Sequence, residues 1–132
     1  MGRFVYVTNE ANNSVTPVAG SPFTAGSEPL SVAVDPLGRF VYVANYGASL
    51  VSVYRIGANG ALTPVAGSPF PTGTGPICVA VDRLGRFVYV ANSSSNTVSA
   101  YRIVANGTLT AVAGSPFPTG DVPVSVAVSP EF

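Results

Sequence analysis

Gly38-Arg39-Phe40-Val41-Tyr42-Val43-Ala44-Asn45 returns unchanged as Gly85-Arg86-Phe87-Val88-Tyr89-Val90-Ala91-Asn92, and almost unchanged as Gly2-Arg3-Phe4-Val5-Tyr6-Val7-Thr8-Asn9. A second motif, Ala-Gly-Ser-Pro-Phe, occupies 19–23, 66–70 and 113–117. The later two copies of each motif stand 47 residues apart, so the chain is built from a repeated unit. The first Gly-Arg-Phe copy precedes the second by only 36 residues, a loss of eleven. Val15 keeps the register of Val51 and Val98, while Thr16 matches Thr63 and Thr110. The loss therefore falls between Val15 and Thr16 and corresponds to Ser52–Leu62, the rest of a strand plus a hairpin turn.

One complete unit reads as four strands. Strand A, Leu30 to Val34, alternates large and small residues and stops at Asp35-Pro36-Leu37-Gly38, a tight-turn signal. Strand B, Phe40 to Ala44, puts Phe40 and Tyr42 on one face and Val41 and Val43 on the other, so both faces are apolar and both require cover. Strand C, Leu50 to Ile56, leads to Asn59-Gly60, a hairpin signal because both residues tolerate positive φ. Strand D, Leu62 to Val65, runs into Gly67 to Gly73, read as a loop.

Four short antiparallel strands per 47 residues, apolar on both faces, predict an all-β fold of β-propeller blades stacked face to face. The chain divides into a truncated blade (1–23, strand B plus an outer strand), two complete blades (24–70 and 71–117) and an orphan strand A (118–132). About three blades fall short of the usual four to eight, so the ring is expected to close by head-to-tail oligomerisation. A six-bladed homodimer is the expected product and a trimer the alternative. Strand A of one chain, Val124 to Val128, would complete the first blade of the next. Glu131-Phe132 break the repeat and match what a GAATTC cloning site encodes, which with the near-identity of the copies points to a fragment or an engineered chain.

Tyr6-Val7-Thr8-Asn9, Tyr42-Val43-Ala44-Asn45 and Tyr89-Val90-Ala91-Asn92, each after Gly-Arg-Phe-Val, resemble the propeller repeats named for the Tyr-Val-Thr-Asn motif, which are similar to bacterial lactonase-like seven-bladed propellers. The resemblance covers nearly the whole chain. It implies sugar-lactone hydrolysis near the central opening in some relatives, at sites that rely on His, Arg and acidic residues. This sequence has no His, so no catalytic residue carries over.

Composition bounds the remaining chemistry. The 132 residues are 47% hydrophobic and only 9% charged, with a formal net charge of zero. That gives no long-range field for nucleic acid or an anionic membrane, and neither is an expected partner. No apolar run reaches the roughly 20 residues of a membrane span, and Met1-Gly2-Arg3-Phe4 has no signal-peptide core; the compartment is left open. Cys78 cannot form a disulfide within the chain and occupies the place of Ser31 and Ser125 on strand A.

Without His or Lys, the commonest general bases and the commonest zinc ligand are missing, and neither a catalytic residue, a metal site nor a cofactor is assigned. Asp35 and Asp82 precede turns at equal repeat positions, where a carboxylate caps backbone N–H groups. The reading is therefore of a non-enzymatic, self-assembling scaffold. The alternative is a carbohydrate- or peptide-binding module on the loop rim, with Asn45, Tyr46, Asn92 and Ser93 as candidate binding residues. A lactonase-like hydrolase is the second alternative, set lower by the missing His.

Overall fold

The structure, a computed structural model, describes residues 6–17 and 23–130; the sequence readings at Gly2 to Val5, at 18–22 and at Glu131-Phe132 lie outside them. Three antiparallel sheets follow one another. The first joins β1 (Tyr6–Asn9), β2 (Ser14–Pro17) and β3 (Phe23–Thr24). The second holds β4 (Pro29–Val34), β5 (Phe40–Asn45), β6 (Leu50–Ile56), β7 (Leu62–Pro64) and β8 (Phe70–Pro71). The third repeats that pattern as β9 (Pro76–Val81), β10 (Phe87–Asn92), β11 (Thr97–Ile103), β12 (Leu109–Ala111) and β13 (Phe117–Pro118). Each is a blade, and together they make an arc of a propeller.

The two-faced pattern of strand B does the stacking. On β5, Phe40, Tyr42 and Ala44 enter a core shared with Val79, Val88, Val90, Tyr101 and Leu109 of the third blade. Val41 and Val43 enter a second core with Tyr6 and Val15 of the first. Burying each such side chain stabilises the stack by about 1.5–3 kcal/mol, so the middle blade is gripped from both sides. Next to the cores the hairpin glycines make close backbone contacts. The Tyr6 hydroxyl donates to the Gly60 carbonyl at 2.9 Å, and a Cβ on Gly107, where φ is +90°, would run into the Phe40 ring.

The stretch after strand D is not the plain loop that the sequence suggests. Phe70 and Pro71 return to strand C, pairing with Val51 and Leu50, while Leu62–Pro64 pairs with its other half. Between the two pieces the Ser68 hydroxyl oxygen accepts the Val53 N–H at 2.9 Å, and Ser115 does the same for Ala100. A side chain thus fills the ladder position that the turning backbone vacates, which is why Ser recurs in the motif.

The shortened first blade is also resolved by pairing. Thr16 and Pro17 lie opposite Val7 and Tyr6, the places that Ser52 and Val53 take opposite Val43 and Tyr42. They continue strand C rather than starting strand D, and β3 stands where β8 stands in the next blade. Val124 to Val128, expected as an orphan strand, pairs with no strand among the described residues. Residues 123–130 carry no regular secondary structure, because a strand needs a ladder partner and none is supplied there among the described residues. Val122 and Val124 are largely exposed.

Gly38 and Gly85 take φ of +71° and +67° in the turns from strand A to strand B, as the Asp-Pro-Leu-Gly and Asp-Arg-Leu-Gly sequences require. Asp35 and Asp82 cap these turns: Asp35 accepts the Arg39 N–H, and Asp82 accepts those of Arg86 and Phe87. Arg39 pairs with Asp35 at 2.7 Å and also donates to the Gly85 carbonyl of the next blade, so one guanidinium ties two turns together.

Candidate functional site

An antiparallel blade sorts its connections to two ends. The turns at 35–39 and 82–86 and the hairpins at 57–61 and 104–108 lie at one end. The connections at 10–13, 46–49 and 93–96, with the loops that enter β4 and β9, lie at the other. At this second rim the loops are zipped in pairs: Tyr46 and Gly47 donate to the Glu28 and Ser27 carbonyls, and Ser93 and Ser94 to those of Gly75 and Thr74.

The four candidate binding residues meet different fates on that rim. Asn45 and Asn92 are fully buried, so their side chains are not offered to a ligand. Asn45 Nδ2 donates to Ser52 Oγ at 2.9 Å, and its Oδ1 accepts the Gly26 N–H. Asn92 Nδ2 donates to Ser99 Oγ at 2.9 Å, and Asn9 Nδ2 to Thr16 Oγ1 at 2.7 Å. A hydroxyl seven residues on is the signal in the sequence that this Asn is a strand clamp. Ser93 is buried with its hydroxyl donated to the Gly75 carbonyl.

Tyr46 is the candidate that stays accessible. It sits on a single 3-10 turn, Tyr46–Ala48, half-buried, and reaches across the junction between the middle and last blades. Its hydroxyl is 3.5 Å from that of Ser94, and its ring lies against Gly75, where a Cβ would meet it at 3.1 Å. The Glu28 carboxylate lies over Gly47 beside it. Glu28 and Gly75 were not singled out in the sequence; the shared Pro after Glu28, Gly75 and Val122 marks a position where φ is positive in all three repeats, +51°, +69° and +50°. Asn13 and Asn96 accept the N–H of Glu28 and Val122 there, and Gly relieves the position where Ser49 replaces that Asn.

Charge is divided between the two ends. Among the described residues, Glu10, Glu28 and Asp121 stand at the Tyr46 rim, while Arg39, Arg55, Arg83, Arg86 and Arg102 gather at the opposite end with Asp35 and Asp82. Arg39 and Arg55 flank the Phe40 ring, and Arg86 and Arg102 the Phe87 ring, at 5.2–5.7 Å. Burial alone would raise the Asp82 carboxyl, but the N–H groups of Phe87 and Arg86 and the Arg86 guanidinium outweigh it and hold the group below the ordinary carboxylate range. Burial pushes the Tyr42 hydroxyl far above its ordinary value. Among the described residues no group of three or more His, Cys, Asp or Glu could hold a metal ion, and no helix is long and apolar enough to cross a membrane.

A cleft of about 270 Å³ opens on the last blade, lined by Asp82, Arg86, Phe87, Tyr89, Val128 and Ser129 among others. The equivalent space beside Asp35, Arg39, Phe40 and Tyr42 is filled by the following blade, through Gly85 and Gly107. Repetition identifies this cleft as a blade seat.

Comparison with known proteins follows the same architecture. Residues 6–76 match the family model described as a lactonase, seven-bladed β-propeller. Among solved structures, the chain is similar to a candidate 6-phosphogluconolactonase from Bacteroides fragilis (TM-score 0.81, 23% identity, covering 94% of this chain and 38% of that one). It is also similar to a second such protein from Bacteroides uniformis (0.83, 21%, 93% and 39%). A third is the periplasmic gluconolactonase of Pseudomonas aeruginosa (0.76, 24%, 93% and 40%). The chain thus spans about two fifths of these structures. Nothing among the curated proteins matches. The expectation of a non-enzyme is overturned by these findings, since the matched family is one of lactonases and the similar structures carry lactonase names. The missing imidazole was an insufficient ground, because a carboxylate also serves as a general base.

Proposed function

Because the chain belongs to the lactonase family of seven-bladed β-propellers, we propose that it forms an arc of a propeller that handles sugar lactones, with the ligand held at the rim that carries Tyr46. The observation that carries this reading is the placement of Tyr46: a half-buried aromatic ring, bridging two blades, with the Ser94 hydroxyl and the Glu28 carboxylate at its sides. An aromatic face suits the C–H face of a sugar ring, and the flanking oxygens suit its hydroxyls.

The charges choose among lactones. A rim with Glu10, Glu28 and Asp121, and with the arginines at the far end, repels a phosphate. The substrate class is therefore an uncharged sugar lactone, the gluconolactone kind rather than its 6-phosphate. Hydrolysis requires water to add to the lactone carbonyl while a base takes its proton, and the ring oxygen leaves as a hydroxyl. We assign that base to Glu28, whose carboxylate lies over Gly47 next to Tyr46.

Calorimetry with glucono-1,5-lactone and its 6-phosphate, alongside hydrolysis above the spontaneous rate, tests the reading. The uncharged lactone should bind more tightly, Tyr46→Ala should weaken binding about tenfold, and Glu28→Gln should slow hydrolysis with little effect on binding. Preference for the 6-phosphate, or indifference to Tyr46→Ala, would refute it.

A further inference from the structure

The end of the blades opposite Tyr46 carries a pattern that turn chemistry does not explain. The turns from strand A to strand B read Asp35-Pro36-Leu37-Gly38 and Asp82-Arg83-Leu84-Gly85; in each the aspartate caps backbone N–H groups and the glycine takes positive φ. No such duty falls to the leucine. Yet Leu37 is 66% exposed and Leu84 55%, while Leu30, Leu50, Leu62 and Leu109 are buried or half-buried. Leu37 belongs to the middle blade, which is packed on both sides, so its exposure is not that of an open edge.

Arginines surround these tips. Asp35 pairs with Arg39 and Asp82 with Arg86. Arg55, Arg83 and Arg102 are exposed and have no carboxylate at ion-pair distance among the described residues, so this end keeps an excess of positive charge. Arg55 and Arg102 lie against the Phe40 and Phe87 rings, and Arg55 donates to the Asn106 carbonyl at 3.3 Å, contacts that hold a guanidinium in place without neutralising it. The zero net charge of the chain removes a long-range field. Within a Debye length of about 8–10 Å, however, the local charge decides, and Glu10, Glu28 and Asp121 stand at the other rim.

We propose that this end docks on an anionic lipid surface, with Leu37 and Leu84 entering the headgroup layer and Arg55, Arg83 and Arg102 over the acidic headgroups. Propeller blades repeat about one axis, so equal turns stand at equal heights and their tips describe a plane. Leucine tips in a plane, with arginines around them, match a bilayer surface, where negative charge overlies an apolar interior. An acidic polypeptide would meet the arginines and leave the leucines in water. The Tyr46 rim then faces away from the lipid, and the proposal stands whether or not that rim takes a lactone.

Co-sedimentation of the 132-residue chain with lipid vesicles tests it. Vesicles of phosphatidylcholine mixed with phosphatidylserine should bind the chain, and phosphatidylcholine alone should bind it roughly tenfold less or weaker still. Arg55→Gln, Arg83→Gln and Arg102→Gln together should weaken binding to the mixed vesicles by about tenfold or more, and Leu37→Ser with Leu84→Ser by about tenfold. Lysine at the same three arginine positions should keep the binding, which separates charge from the stacking that arginine alone provides. Tyr46→Ala, at the other rim, should leave it unchanged. No binding to the mixed vesicles, equal binding to phosphatidylcholine alone, or indifference to the leucine variant would overturn the proposal; indifference to the leucines together with binding to polyglutamate would place an acidic polypeptide there instead.

Discussion

The hexapeptide Phe-Val-Tyr-Val-Ala-Asn occurs at Phe40–Asn45 and again at Phe87–Asn92, and the two copies live in different surroundings. In the middle blade all six residues are buried. In the last blade the second, fourth, fifth and sixth are buried, while Phe87 and Tyr89 are half-exposed. Backbone pairing hardly differs, since both strands ladder to their neighbours in the same register. Local sequence thus sets the strand and its alternation, and the neighbouring blade sets what the alternation is worth. The aspartates that cap the preceding turns follow the same division. The Asp35 side chain is 0% exposed and held by Arg39 at 2.7 Å, while Asp82 is 11% exposed with Arg86 at 3.4 Å.

The largest expected effect lies in the rings. Phe40→Ala should cost about 3–5 kcal/mol, the range for an aromatic removed from a closed core, and Phe87→Ala about 1–2 kcal/mol. Urea unfolding of the two variants measures the difference directly. Equal costs would break the comparison and would mean that the Phe87 face is covered in solution.

A smaller contrast lies in the turn glycines. Both have positive φ, so alanine carries a backbone penalty of about 1 kcal/mol at either. At Gly38 a Cβ meets nothing within 4 Å, whereas at Gly85 it collides with Asp35 Oδ1 and stands 2.9 Å from Arg39. Gly85→Ala should therefore be the more damaging, by roughly a further 1–2 kcal/mol, read as a lower midpoint in the same denaturant. Identical midpoints would show that the Asp35 and Arg39 contact across the two blades does not hold.

The smallest effect is on the acid limb. The Asp82 carboxyl is held below its ordinary value in the folded chain, so the folded state binds its proton more weakly than the unfolded state does. Its contribution is complete above the ordinary Asp value of about 4 and fades as pH falls through the lowered one. Asp82→Asn should flatten the pH dependence of stability below about pH 4, followed by near-ultraviolet circular dichroism of the tyrosines. An unchanged acid limb would show that the turn cap contributes nothing to it.

Much of the fold was legible because the strand signals are local. Alternation marked β4, β5 and β6, Asn-Gly marked the hairpin, and Asp35-Pro36-Leu37-Gly38 marked the turn in which Gly38 takes positive φ. The outer edge was less legible. Phe70-Pro71 is a strand only because strand C offers it two residues of ladder, and the Ser68 hydroxyl completes the gap. Of the rim candidates read from the sequence, Tyr46 is half-buried while Asn45, Asn92 and Ser93 are buried, and Glu28 was not among them. An amide near a loop looks the same in sequence whether it faces solvent or clamps a strand, and here the hydroxyls of Ser52 and Ser99 decided it.

By itself the sequence determined the repeat, the strands within it and the two apolar faces of strand B, because spacing and alternation act between near neighbours. Only the tertiary structure decided that Thr16 and Pro17 extend strand C and that identical hexapeptides differ in burial. It also decided that, among the described residues, Glu10, Glu28 and Asp121 stand on one rim of the blades and the arginines on the other, with Asp35 and Asp82. Each of these depends on which segments are brought side by side, and hydrogen-bond partners and burial exist only once they are.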